Sequence, residues 1–154
     1  MTECEITTTD APSKKTAGTD AGVPEGFVAL DKLGGYMANF GRLYIHAERR
    51  TLAVRIGECH LNNLGIPHGG MLATLADMAI GKMMSLETGQ SKQAVTVNLS
   101  LDYLDSGRLG DWLEARVDFE KLGSRLRYGT CRVFSGERCL LRATAIFAVL
   151  APRT

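Results

Sequence analysis

No two of the four cysteines, Cys4, Cys59, Cys131 and Cys139, stand in a C-x-x-C spacing. The histidines are as scattered: His46, His60 and His68 include no i, i+4 pair of the kind that holds a metal on a helix. Both absences speak against a zinc site and against a disulfide framework, and reduced thiols suit the cytosol. Neither a metal nor a cofactor is expected. A strong field of one sign is also missing, since the formal net charge is only +1. Nothing global therefore marks a binder of nucleic acid or of a membrane surface, and any basic site must be local. The N-terminus holds no apolar run that could act as a signal sequence, and no later stretch is long and apolar enough to span a bilayer. Internal repeats are absent. The expectation is a soluble, cytoplasmic protein with no nucleic-acid and no membrane partner.

What is present suits one globular unit. A chain of 154 residues with 45% hydrophobic residues can build one sizeable core. Residues 1–23 are rich in Thr, Ala, Asp and Lys and lack apolar periodicity, so a disordered arm is expected there, followed by a single domain over 24–151. Pro24 suits a first helical turn, and Gly34-Gly35 should interrupt whatever begins there. Leu43 and Ile45, then Leu52, Val54 and Ile56, alternate with other residues as half-buried strands do. Asn62 to Pro67 reads as a loop.

Gly70 to about Glu87 is the one long helix candidate, and its apolar residues almost encircle it. Such a helix is buried. Four more strands follow. They carry Val95 to Tyr103, Leu113 to Phe119, Leu126-Tyr128-Thr130, and Leu141 to Val149 at alternate positions, with glycine-containing turns between. The predicted fold is α+β: a long central helix wrapped by a curved antiparallel sheet of five to six strands. A sheet on one side leaves one helix face open, and a second subunit could cover it.

Two features of residues 62–77 bear on chemistry. Gly69-Gly70 precedes the helix, where unpaired N–H groups and the helix dipole favour negative charge. Glycine lets a carbonyl approach the backbone closely, so the pair could hold an oxyanion; equally, it could only make a tight turn. Asp77 is the second feature. No basic residue lies at i±3 or i±4, and its helix face carries the small residues Gly70, Ala73, Thr74 and Gly81. A desolvated carboxylate there would serve as a base, whereas one at the rim would only touch water or cap a strand.

The joint pattern N-x-x-G-x-x-H-G-G followed seven residues later by Asp comprises Asn62, Gly65, His68, Gly69, Gly70 and Asp77. It resembles the hot-dog-fold acyl-CoA thioesterases of the phenylacetate-pathway type, within the 4-hydroxybenzoyl-CoA thioesterase superfamily. The resemblance runs over roughly residues 26–150 and includes Val95 to Leu99 and Leu101 to Leu104. It implies hydrolysis of an acyl-CoA thioester, with Asp77 as general base or nucleophile and the Gly69 N–H as oxyanion donor. Asn62 and His68 would orient the thioester, and Thr96 would hold the attacking water. It also implies a homodimer or homotetramer with the site at the subunit interface.

Coenzyme A needs a cationic berth for its phosphates. Lys121 to Arg127 offers one, and the resemblance places nucleotide contacts near Gly123, Ser124 and Arg125, although a solvated hairpin would look the same. Gly70 is a further candidate for substrate contact. The alternative function is a non-catalytic acyl-CoA binding or sensing module on the same fold. A dehydratase or hydratase would need a His paired with a carboxylate, and no such constellation is visible.

Overall fold

The computed structural model describes residues 22–31, 33–89 and 93–150. The arm expected over residues 1–23 lies, except for its last two residues, outside that range. The described elements are β1 (Val28–Ala29), β2 (Leu43–His46), β3 (Thr51–Arg55), α1 (Gly69–Glu87), β4 (Ala94–Tyr103), β5 (Trp112–Leu122), β6 (Leu126–Ser135) and β7 (Arg138–Val149). Short 3-10 helices occupy Gly35–Asn39 and Glu58–His60. Around Pro24 the chain makes a turn, closed by Phe27 N–H on the Pro24 carbonyl at 3.4 Å, instead of the expected helical start.

All seven strands form one antiparallel sheet in the order β1-β2-β3-β5-β6-β7-β4. The sheet therefore has one strand more than the upper expectation. The extra one, β1, contributes two residues paired with Ile45 and Tyr44, too few to show an alternation. After α1 the chain crosses to the far edge, where β4 pairs with β7.

Helix α1 starts at Gly69, one residue before the expected start, because His68 caps it. The His68 Nδ1 accepts the Gly70 N–H at 2.9 Å. Met71, Leu72, Leu75, Ala76, Ala79, Ile80, Met83 and Met84 are buried against the sheet. Leu113, Ala115 and Val117 of β5, Cys131 and Val133 of β6, and Leu141, Ala143, Ala145 and Phe147 of β7 meet them in one core. Leu75 is fully enclosed, so truncating it to Ala should cost about 2–5 kcal/mol, the lost transfer energy plus a cavity. The helix rests on Gly129 itself. A Cβ there would stand 2.9 Å from Ile80 Cγ2 and Met84 Cε, closer than carbon atoms tolerate.

Two details depart from simple alternation. In β6 the expected apolar set Leu126, Tyr128 and Thr130 lies on the outer face, while Arg127, Gly129, Cys131 and Val133 are buried. The close helix demands glycine and small or slender side chains there, which overrides hydrophobicity. In β4 the register shifts between Thr96 and Asn98. This bulge lets Thr96, opposite Phe147, and Leu99, opposite Ala145, face the same helix-bearing side.

Candidate active site

Asp77 sits mid-helix on the face of α1 that the sheet leaves half-open. The β4 bulge turns Thr96 toward it, and Thr96 Oγ1 donates to Asp77 Oδ1 at 2.7 Å. Oδ2 has no partner among the described residues, and no cation pairs with the carboxylate. These two positions, separated in sequence by nineteen residues, are brought into direct contact.

The second group of candidates gathers at the helix N-terminus. With Nδ1 accepting from Gly70, a neutral His68 carries its proton on Nε2, on the exposed side of the ring. That bond also consumes the Gly70 N–H. The Gly69 N–H, by contrast, has no acceptor among the described residues, so it is the donor left available at the positive end of the dipole. Tyr103, at the end of β4, fixes this peptide: its hydroxyl donates to the Gly69 carbonyl at 2.8 Å. A contact between positions 34 apart has no local signature in the sequence.

Asn62 shapes the loop before the helix. Its Oδ1 accepts from Leu64 N–H at 2.9 Å and Ile66 N–H at 3.4 Å, so only the side-chain NH2 remains for a ligand. Gly65 holds φ +73°, a left-handed conformation that favours glycine. His60, though nearby, is locked. It accepts from Gly57 N–H through Nδ1 and meets the Phe40 carbonyl through Nε2 at 2.7 Å. A cavity of about 330 Å3 opens beside His68 and Gly70, walled by Tyr36, Phe40 and Met71.

Gly69 and Asp77 are not neighbours within the chain. They stand eight residues apart on one helix, a rise of about 12 Å. Gly123, Ser124 and Arg125 lie apart from both, on the β5–β6 turn, where the Arg125 carbonyl accepts from Val149 N–H at 2.9 Å. Gly123 is required there, because a Cβ would fall 2.5 Å from the Leu126 carbonyl oxygen. The Arg125 side chain is exposed and unpaired among the described residues.

The buried Cys131 thiol is no candidate nucleophile, whereas Cys59 is exposed and lines the cavity beside His68. Burial, aided by neighbouring Cys139, pushes the Cys131 thiol up to about 12, and it faces the helix core. Among the described residues no three His, Cys, Asp or Glu side chains converge as metal ligands, and no helix is long and apolar enough to cross a membrane. A larger cavity, about 730 Å3, lies on the outer sheet face among Arg116, Arg132 and Arg142 and touches none of the candidates.

Comparison with known proteins identifies the family. The family model described as "Thioesterase superfamily" matches residues 64–141, which include His68, Gly69, Asp77 and Thr96. A Pseudomonas aeruginosa protein provisionally named an esterase is 38% identical over 128 residues, 81% of this chain and 96% of that one. Mouse acyl-coenzyme A thioesterase 13 is 28% identical over 83 residues, 54% of this chain and 59% of its own length. A Bacillus halodurans protein crystallised with CoA superposes with a TM-score of 0.62 at 29% identity, over 67% of this chain and 68% of that one. The chain belongs to the thioesterase superfamily, on a hot-dog fold.

Proposed function

We propose that this protein hydrolyses acyl-CoA thioesters to the free acid and CoA, in sites shared between two copies of the chain. The observation that carries the reading is the Thr96–Asp77 pair on the open helix face, with one carboxylate oxygen free. Similarity to a mouse acyl-CoA thioesterase and to a protein crystallised with CoA supports the substrate class.

The chemistry follows from the groups present. Water held by Asp77 Oδ2 loses a proton to the carboxylate and attacks the thioester carbonyl. The new C–O bond pushes charge onto the carbonyl oxygen, where the Gly69 N–H donates; one such donor contributes about 3–4 kcal/mol to the transition state. Collapse breaks the C–S bond, and CoA leaves as a thiolate that takes a proton. Alternatively, Asp77 itself attacks, forming a mixed anhydride that water then cleaves. His68 Nε2–H and the Asn62 NH2 are the donors placed to orient the thioester.

One thioester cannot meet Gly69 and Asp77 of the same helix across about 12 Å, since reacting groups must stand about 3–3.5 Å apart. A second copy with its helix antiparallel would bring its Gly69 to this Asp77, giving two equal sites per dimer. Strand β4 supports such pairing. It is an edge strand with Val95 and Val97 exposed, an unpaired row of backbone groups beside the site. A dimer, or a tetramer built from it, is the working assembly.

The deciding experiment is a free-thiol assay with short, medium and aryl acyl-CoAs. Turnover of at least one is expected. Saturable binding with no thiol release from any would replace catalysis by the sensing function.

A further inference from the structure

We infer that the acyl group taken by this protein ends in a carboxylate, which Arg127 binds; the inference rests on the acyl-CoA reading above. Arg127 is only 4% exposed. Its Nε is sealed from solvent without an acceptor, and the side chain forms no hydrogen bond or ion pair among the described residues. A guanidinium keeps its charge, and among the described residues no carboxylate neutralises this one. Glu87, the acid at the end of α1, is already bound to Arg50 at 3.1 Å. The C-terminal carbonyls of α1 favour a cation nearby, but Met84 O is taken by Thr88.

Arg127 lines a cavity of about 360 Å3 with Gly81, Met84, Ser85, Val95 and Phe147. That cavity adjoins the candidate catalytic pair. Gly81 is one helical turn, about 6 Å, beyond Asp77. Thr96, Phe147 and Arg127 are register partners in one row across β4, β7 and β6. With strands about 4.8 Å apart, the Arg127 backbone stands about 10 Å from that of Thr96, a gap that a medium-length acyl chain and the arginine side chain together would span. Apolar walls ending in one buried, planar, two-pronged donor suit a methylene chain capped by a carboxylate. They suit a CoA phosphate poorly, because the nucleotide phosphates need several cations and water.

The test compares adipoyl-CoA with hexanoyl-CoA, equal in length and differing in the terminal carboxylate. The wild-type protein should favour adipoyl-CoA in kcat/KM by at least about tenfold, since a site built around a polar group rejects the analogue that lacks it. Arg127→Met keeps the slender shape and removes the charge, and it should abolish or reverse that preference while folding is confirmed by circular dichroism. Equal kcat/KM for both thioesters in the wild type overturns the inference, as does a preference that survives in Arg127→Met. An equal loss on both thioesters in Arg127→Met does so too, because it marks a contact with CoA. If neither thioester is cleaved, the hydrolase reading is judged by the full acyl-CoA panel, and the carboxylate site is still tested. Calorimetric binding of the two intact thioesters then decides for or against the carboxylate site by the same ratio.

Discussion

Thr96 Oγ1 holds Asp77 Oδ1 at 2.7 Å, and it can do so only because β4 carries a bulge immediately after Thr96. In an unbroken strand Thr96 would share a face with Asn98 and Ser100, on the outer side of the sheet. The bulge rotates it onto the helix. One carboxylate oxygen is thus pinned, and the other has no partner among the described residues.

Asp77→Asn preserves shape and polarity but can neither accept a proton nor attack a carbonyl. We expect kcat to fall by at least about 100-fold, with KM nearly unchanged, because the loss is felt in the transition state. Thermal unfolding should not shift downward, since the carboxylate forms no ion pair among the described residues. A folded variant with near wild-type thiol release would make Asp77 structural.

Thr96→Val removes the hydroxyl and keeps the β-branched shape. A fall in kcat of about tenfold is expected, smaller than for Asp77→Asn, because the base remains but is no longer held. Combined with Asp77→Asn it should add at most about twofold, as residues acting as one unit are not additive. Additive losses would show that the two act independently.

Gly69→Pro is a clean deletion of one N–H. Proline is favoured at a first helical position, and His68 before it already has the extended φ −64°, ψ 135° that proline requires. Losing the donor should lower kcat by about 100- to 1,000-fold. Mixed with Asp77→Asn under subunit exchange, it should regain activity, since each hybrid dimer carries one intact composite site. No recovery in verified hybrids would place both groups in a single subunit.

Arg125→Ala tests the nucleotide berth. The contact, if made, exists in ground and transition states alike, so KM should rise severalfold while kcat holds. An unchanged KM with several acyl-CoAs would leave Arg125 as a solvated turn residue.

The sequence made the helix and most strands legible because their periodicities are local. The helix boundary was right to one residue, and Leu113, Ala115 and Val117 face the core as alternation requires. The residue types around Asp77 were legible too. What escaped depended on distant pairing. Two-residue β1 has no period to read. The inward face of β6 was misassigned because Arg127 and Gly129 look less apolar than Leu126 and Tyr128, and only the close helix explains them. Strict alternation would turn Thr96 away from the helix, and the bulge that turns it inward leaves no mark in composition. Tyr103 on the Gly69 carbonyl joins the ends of two elements that sequence order does not place side by side.

Because β4 has β7 as its only sheet neighbour among the described strands, synthesis order matters. A ribosome releases α1 and β4 early, yet the strand that docks β4 spans Arg138–Val149. Until those residues emerge, Thr96 has no sheet to hold it over Asp77, and Tyr103 none to hold it over Gly69. The nascent chain therefore carries both members of the Thr96–Asp77 pair but cannot assemble it, and a ribosome stalled before residue 138 would display the two side chains apart.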